Sequence, residues 1–176
     1  MDARAQPRPG GYVLDGCKAV VSNGASADLL IVSARTSGNT EELEGISLFL
    51  VDPSMPGVSI RDFPGIDGSR SAEITFTGVA LDADALLGTA GQGFPALELA
   101  VDRGIAALCA EATGAMTKII DLTVEHLQTR TQFGKALSNF QALQHRVAEM
   151  LIAREQAQAM AYCAAAALDS DDRNER

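Results

Sequence analysis

The uneven use of glycine and proline is the feature of this 176-residue sequence that most constrains its fold. All six prolines lie at or before Pro95. The glycines that follow Gly93 are Gly104, Gly114 and Gly134. Because glycine and proline interrupt regular elements, a turn-rich first part, residues 1–90, is predicted to give way to a helical second part, residues 91–176.

Apolar and alternating runs in the first part are typical of short β-strands. Residues 73–76 alternate between polar and apolar, with Ile74 and Phe76 on the face that we expect to be buried. The other predicted strands are residues 11–16, which lead into a tight turn, and residues 18–22, 29–34, 46–51 and 58–63. Asn23-Gly24 is a turn signal. Strands at this spacing predict an antiparallel β-barrel or sandwich.

Apolar residues recur at helical spacing in the second part, which predicts one long helix ending near Thr129. Gly134 lies in a short connection, after which Ser138 and Gln141 form the S-x-x-Q pattern of a capping box. The second helix is expected to run to about Leu168. Two long helices with a short link pack antiparallel, so an α+β multidomain chain with an incomplete helical bundle is predicted.

Composition excludes several classes of site. The net charge of −9 argues against a nucleic-acid partner, which needs clustered Lys and Arg. No apolar run is long enough for a membrane span. The cysteines, Cys17, Cys109 and Cys163, lie far apart, which argues against a disulfide framework or a zinc site and fits a reducing cytoplasm. His126, His145 and Arg154 are expected on helix surfaces, and neither histidine belongs to a triad or metal pattern.

Three motifs follow one another along the chain. The first is Gly11-Tyr12-Val13-Leu14-Asp15-Gly16 with Lys18 and Ser22-Asn23-Gly24. The second is residues 45–51 with Pro56-Gly57, followed by Leu86-Leu87-Gly88 and Gly91-Gln92-Gly93-Phe94. The third is Arg130-Thr131-Gln132-Phe133-Gly134-Lys135 with Phe140-Gln141-Ala142. In this order and spacing the three motifs resemble the acyl-CoA dehydrogenase family. They cover nearly the whole chain from Gly11, which makes the combination far more specific than any single motif.

The resemblance implies a partial middle β-domain at residues 1–90 and a partial C-terminal helical domain with two long helices at residues 91–176. It also implies that the chain is truncated at both ends, so that other parts of the complete enzyme would precede Met1 and follow Arg176. Residues 19–21 and 102–111 are further similar to small subunits of pimeloyl-CoA dehydrogenases.

The resemblance implies that the segment between the two helices binds FAD. Arg130 would contact the pyrophosphate of an FAD held by a neighbouring subunit, because a guanidinium matches phosphate oxygens. From the residues alone, Arg130 would equally offset the dipole of the helix that it ends. Phe133 would pack on the adenosine end of FAD, or simply anchor the turn. Thr131, Gln132 and Gln141 complete this implied set, and Gln141 also fits the capping box.

A second implied cofactor segment is Val21-Ser22, with the Ser22 hydroxyl donating a hydrogen bond to flavin N5. The alternative is that Ser22 is only a polar residue before an Asn-Gly turn. Val20 departs from the family pattern, which often has a tryptophan there that shields the flavin ring. The ring would therefore be less covered on that side.

For the substrate, the resemblance implies that Asp102 and Arg103 line the acyl-CoA site, although a solvated charged pair on the helix explains them as well. Some family members place their catalytic glutamate on this helix, at a position that corresponds to Gly104. Glycine cannot act as a base, and Glu111 is expected to be structural. The catalytic base is therefore expected outside this chain, and this chain alone is expected to be inactive and to bind FAD weakly, if at all.

The implied reaction is FAD-dependent α,β-dehydrogenation of an acyl-CoA thioester, with electrons passed to an electron-transferring flavoprotein, in a homo- or hetero-oligomer. An acyl-CoA oxidase or a flavin monooxygenase of the same fold is an alternative, because the missing tryptophan would let oxygen reach the flavin. A third alternative is a non-catalytic assembly subunit. No metal is implied.

Overall fold

A computed structural model describes residues 3–170, which separate into two compact units between Leu97 and Glu98. The strands of the first unit are β1 (Arg4–Arg8), β2 (Gly11–Ser22), β3 (Leu30–Arg35), β4 (Ile46–Val51), β5 (Val58–Pro64), β6 (Arg70–Asp82) and β7 (Leu86–Leu87). They form one mixed sheet in the order β5-β6-β2-β1-β3-β4-β7. Every pairing is antiparallel except β1 with β3, which is parallel at Arg4 and Arg35.

The sheet curls over one apolar core to which both of its halves contribute. Ile74 and Phe76 of β6 are buried, as their alternation predicts, and Phe49 of β4 is fully buried in the same cluster. Tyr12 meets the Phe49 ring edge to face at 5.0 Å between centroids. Between residues 3 and 170 no ladder joins the edge strands β5 and β7, so the structure establishes a curled mixed sheet and not a closed barrel.

The strand β2 differs from its prediction. A tight turn at Gly16 was expected, but the strand continues to Ser22 and the pairing with β6 shifts register between Leu14 and Gly16. Gly16 at φ 130° and Gly78 at φ 60° lie at this irregularity, where the chain bulges without reversing. β1 was missed because Pro7 and Pro9 resemble turn signals.

The second unit contains most of α1 (Phe94–Thr129), the short hairpin of β8 (Thr131–Gln132) and β9 (Lys135–Ala136), and α2 (Gln141–Ala167). The prediction of two long helices ending near Thr129 and Leu168 is therefore confirmed. An open apolar groove lies between the helices and is lined by Val124, Leu127, Gln128, Ser138, Gln144, Val147, Ala148 and Leu151. None of the helices within residues 3–170 is sufficiently long and apolar to cross a membrane.

The predicted capping box at the start of α2 is wrong. Ser138 lies in a 3₁₀ turn, Leu137–Asn139, and Phe140 occupies the N-cap position without a side-chain hydrogen bond. Gln141 is consequently the first residue of the helix and not the third, so its side chain cannot reach back as a capping box requires. Gln144 instead donates from Nε2 to the Ser138 carbonyl at 2.7 Å.

Candidate functional site

The hairpin between the helices is built around a closed turn. The Arg130 amide donates to the His126 carbonyl at 2.9 Å, and the Leu137 amide donates to the Arg130 carbonyl at the same distance. Phe133 and Gly134 form the two-residue loop between β8 and β9, with φ of 53° and 79°. Positive φ at both positions is the requirement of a type I′ turn, which normally selects asparagine followed by glycine.

Phe133 is therefore unusual at its position. It is a bulky residue in the left-handed region, and its side chain is 89% exposed. Its ring meets Phe140 edge to face at 6.2 Å, and the Lys135 ammonium lies 4.3 Å from the centroid of the Phe140 ring. A strained backbone that holds an aromatic ring in solvent is typical of a ligand-contact position.

The same hairpin carries two cations on a chain of net charge −9. Arg130 is exposed, and within residues 3–170 no carboxylate or carbonyl partner engages its guanidinium. Lys135 belongs to the third sequence motif, but its residue type alone did not predict a role at this site. Thr131 and Gln132 are exposed on β8, and Gln141 is exposed at the first turn of α2. This arrangement can accept an anionic group beside an aromatic surface.

The second predicted segment lies at the end of β2. Ser22 is exposed and pairs with Ser71, whereas Val21 pairs with the buried Ala72 and packs against the core. Of the two predicted cofactor residues, Val21 therefore has only its backbone available. Val20 precedes them at φ 54° with its side chain 69% exposed.

The chain after Ser22 is held firmly. The Asn23 amide donates to the Arg70 carbonyl at 2.9 Å, and Asn23 has φ of 54°. A Cβ atom on the buried Gly24 would lie 3.0 Å from the Val21 side chain and 3.2 Å from Ala72. The close approach at Gly24 fixes the turn against the sheet, so the Ser22 hydroxyl is presented from a rigid support.

The predicted substrate residues lie on α1. Asp102 is partly buried and Arg103 is exposed, because successive residues of a helix point about 100° apart. No ion pair joins them in the described part of the chain. Glu111 is exposed, and Gly104 has open space where a side chain would be. Groups of three or more His, Cys, Asp or Glu that could hold a metal ion are absent from residues 3–170.

Comparison with known proteins identifies both units. The family model described as "Acyl-CoA dehydrogenase, middle domain" matches residues 1–79, and "Acyl-CoA dehydrogenase, C-terminal domain" matches residues 91–176. The chain is 35% identical to the very long-chain specific acyl-CoA dehydrogenase of Rattus norvegicus, over 94% of this chain and 27% of the relative.

Solved structures agree with the sequence matches. Butyryl-CoA dehydrogenase from Megasphaera elsdenii superposes with a TM-score of 0.85 at 30% identity, covering 94% of this chain and 44% of that one. The prolyl acyl carrier protein oxidase AnaB superposes with a TM-score of 0.87 at 25% identity, covering 95% and 45%. The chain thus spans less than half the length of these relatives.

Proposed function

The chain belongs to the acyl-CoA dehydrogenase family, and from this premise we propose that it is part of an FAD-dependent enzyme that oxidises an acyl-CoA thioester between its α and β carbons. When bound, FAD supplies an acceptor for two electrons. The observation that carries the proposal is the hairpin at residues 130–136. There the exposed Arg130 guanidinium, which has no ion-pair partner within residues 3–170, lies in the same segment as the exposed, strained Phe133.

The residues of the hairpin fit the chemistry of FAD. A guanidinium binds two phosphate oxygens at once, so Arg130 is proposed to hold the pyrophosphate, with the partner FAD belonging to another subunit. Phe133 offers an aromatic surface to the adenosine end. Thr131, Gln132 and Gln141 supply exposed polar groups for the rest of the dinucleotide. Because Gln141 does not form the predicted capping box, that alternative role does not apply, which supports the assignment of Gln141 to FAD.

Ser22 is proposed to donate its hydroxyl hydrogen to N5 of the flavin and so to stabilise the charge that develops there. Val21 is proposed to contribute through its backbone only, since its side chain packs into the core. Asp102 and Arg103 are proposed to line the acyl-CoA site. We propose no catalytic base within this chain. Gly104 has no functional group, and the position of Glu111 on the helix does not indicate a catalytic role.

The wider context of the enzyme is also proposed. We place the boundary between the middle and C-terminal domains at residue 90, and expect an oligomer in which the hairpin of one subunit serves the FAD of another. An electron-transferring flavoprotein is the proposed electron acceptor. A cytoplasmic location fits the three free cysteines, although the rat relative is named as mitochondrial.

A second candidate is an oxidase of the same fold, acting on a thioester and passing electrons to oxygen. It is favoured by the similarity to AnaB, which is named as an oxidase, and by the small Val20 at the flavin side of β2. A flavin monooxygenase shares this argument, whereas no observation favours a non-catalytic subunit. Substrate-dependent hydrogen peroxide would distinguish the oxidase from a dehydrogenase, which responds to an artificial acceptor.

The central test replaces the guanidinium. Arg130→Ala is expected to weaken FAD affinity by about 10- to 100-fold, because a charge-assisted hydrogen bond is lost. The matched control is Arg146→Ala, whose side chain is 77% exposed and paired only with the neighbouring Glu149. Arg154 would be a poor control: the expectation that it lies on a solvated face is wrong, since its side chain is only 22% exposed.

Equilibrium dialysis, at matched protein concentration and salt, measures the FAD affinity of wild type, Arg130→Ala and Arg146→Ala. Phe133→Asn serves as a second variant, because asparagine tolerates the left-handed turn and keeps the hairpin while removing the ring. The measurement is made on the complete enzyme of which this chain is proposed to be part, because the FAD site is proposed to draw on more than one subunit. Equal FAD affinity in wild type, Arg130→Ala and Arg146→Ala would contradict the assignment, and so would the absence of FAD binding by the complete wild-type enzyme.

A further inference from the structure

One extra residue is built into the end of β2. Lys18 pairs with Ile74 and Val21 pairs with Ala72, so β2 uses three steps where β6 uses two. Such a bulge disrupts the ladder locally and bends the strand. Val20 lies within it at φ 54°, in the left-handed region that β-branched residues strongly avoid.

The side chain of Val20 gains little burial in this conformation. The Val20 side chain is 69% exposed, whereas Val21 provides the contact with the core. If Val20 were removed, Lys18 and Val21 would be separated by two steps, as are Ile74 and Ala72 on β6. Val21 would still face the core and Ser22 would still pair with Ser71. Neither the core nor the register therefore requires the extra residue.

The strained apolar residues of the chain share a pattern. Three residues other than glycine have positive φ within residues 3–170: Val20, Asn23 and Phe133. Asn23 tolerates this region, because its short polar side chain suits it. Val20 and Phe133 do not, and both are strongly exposed. Each lies in one of the two segments assigned to the cofactor, although the two segments belong to different units of the chain. Residues held in sparsely populated backbone conformations cluster at active sites and ligand contacts.

We propose that Val20 is a positioning residue whose strained bulge tilts the end of β2 and so aims the Ser22 hydroxyl at the flavin ring. The proposal rests on the assignment of Ser22 to FAD made above. At Val20, the conformation that favours FAD binding lowers the stability of the fold. A change that relaxes the bulge improves or preserves folding and weakens FAD binding through Ser22.

The test uses deletion of Val20, the substitution Val20→Gly and the control Ile31→Gly, each in the full chain. Ile31 is 67% exposed, but it lies in the regular pairing of β3 with β4. Glycine accepts positive φ freely, so Val20→Gly is expected to raise the thermal midpoint by about 2–4 °C. Ile31→Gly is expected to lower it by a similar amount, since glycine weakens a regular strand.

FAD affinity provides the second measurement. Deletion of Val20 is expected to weaken it by about 2- to 10-fold, the value of one neutral hydrogen bond and the same as for Ser22→Ala. In the Ser22→Ala background, deletion of Val20 should cause no further loss. A purely structural role would not produce this dependence on Ser22. If the deletion variant does not fold, Val20→Gly is compared with Ser22→Ala in the same way, because glycine populates positive and negative φ equally and no longer fixes the tilt of the strand end.

The possible outcomes separate the two proposals. If wild type binds FAD and both Val20 variants bind it equally well, the positioning role is overturned while the assignment of FAD stands. A thermal midpoint that falls in Val20→Gly as far as in Ile31→Gly would also overturn it. All FAD measurements use the complete enzyme of which this chain is proposed to be part, and if that wild-type enzyme binds no FAD at all, the proposed function itself fails.

Discussion

Arg35 provides the sharpest test of the forces that hold the first unit together. Its side chain is 3% exposed, and its guanidinium is surrounded by backbone carbonyls of the loop between β3 and β4. Nη1 donates to Ser37 at 3.1 Å and to Glu44 at 2.9 Å. Nη2 donates to Thr40 at 3.2 Å and to Glu42 at 2.6 Å. One side chain thus closes a loop that has no regular structure of its own.

Arg35→Met retains most of the buried stem and removes these donors. Hydrogen bonds to a charged group contribute about 1.5–3 kcal/mol each, but four bonds to one group are not additive. The residues that carry the carbonyls are exposed, so water can replace part of what is lost. We therefore expect a loss of about 3 kcal/mol, a large part of the 5–15 kcal/mol of a typical domain.

Urea denaturation measures this loss. The chain has no tryptophan and two tyrosines, so in a Tyr162→Phe background the near-ultraviolet signal of Tyr12 reports the first unit alone. Arg61→Met is the control: its side chain is 74% exposed with one ion pair to Glu73, and its loss should be barely detectable. A free energy of unfolding for Arg35→Met within about 0.5 kcal/mol of the control would refute the reasoning, because that is the ordinary range for surface substitutions.

Two further predictions concern the same unit. Gly11→Ala should destabilise it by about 3 kcal/mol in urea denaturation, because the new Cβ would lie 2.0 Å from the Leu81 carbonyl oxygen. Gly10→Ala, where φ is 83° and no atom lies within 4 Å, should cost only about 1 kcal/mol, and equal losses would contradict the argument. Hydrogen bonds from Ser69 lower the pKa of the Asp67 carboxyl below its ordinary 3.8. They therefore stabilise the turn between β5 and β6 above pH 3.8, and this stabilisation is lost as the pH falls through the lowered pKa. Ser69→Ala should raise the Asp67 titration midpoint measured by NMR, and an unchanged midpoint would exclude the serine hydroxyl as the cause.

The order and type of the elements could be predicted because local rules govern them. The confinement of proline to residues up to Pro95 divided strands from helices, and the apolar period of α1 located its end near Thr129. The short connection between the helices was predicted from Gly134, although its β-hairpin form was not. These features depend on backbone conformations that each residue type prefers whatever surrounds it.

Other features depend on contacts between residues distant in sequence, and only the tertiary structure decided them. Pro7 obscured a strand that exists because β2 and β3 pair with it on both sides. No sequence pattern distinguishes Arg35, which the fold surrounds with four backbone carbonyls. The bulge at Val20 exists only relative to β6, where Lys18 and Val21 pair with Ile74 and Ala72, about 50 positions away. The local sequence determines the backbone conformation of a segment. The register and burial of that segment depend on the other segments that the fold of the whole chain packs against it.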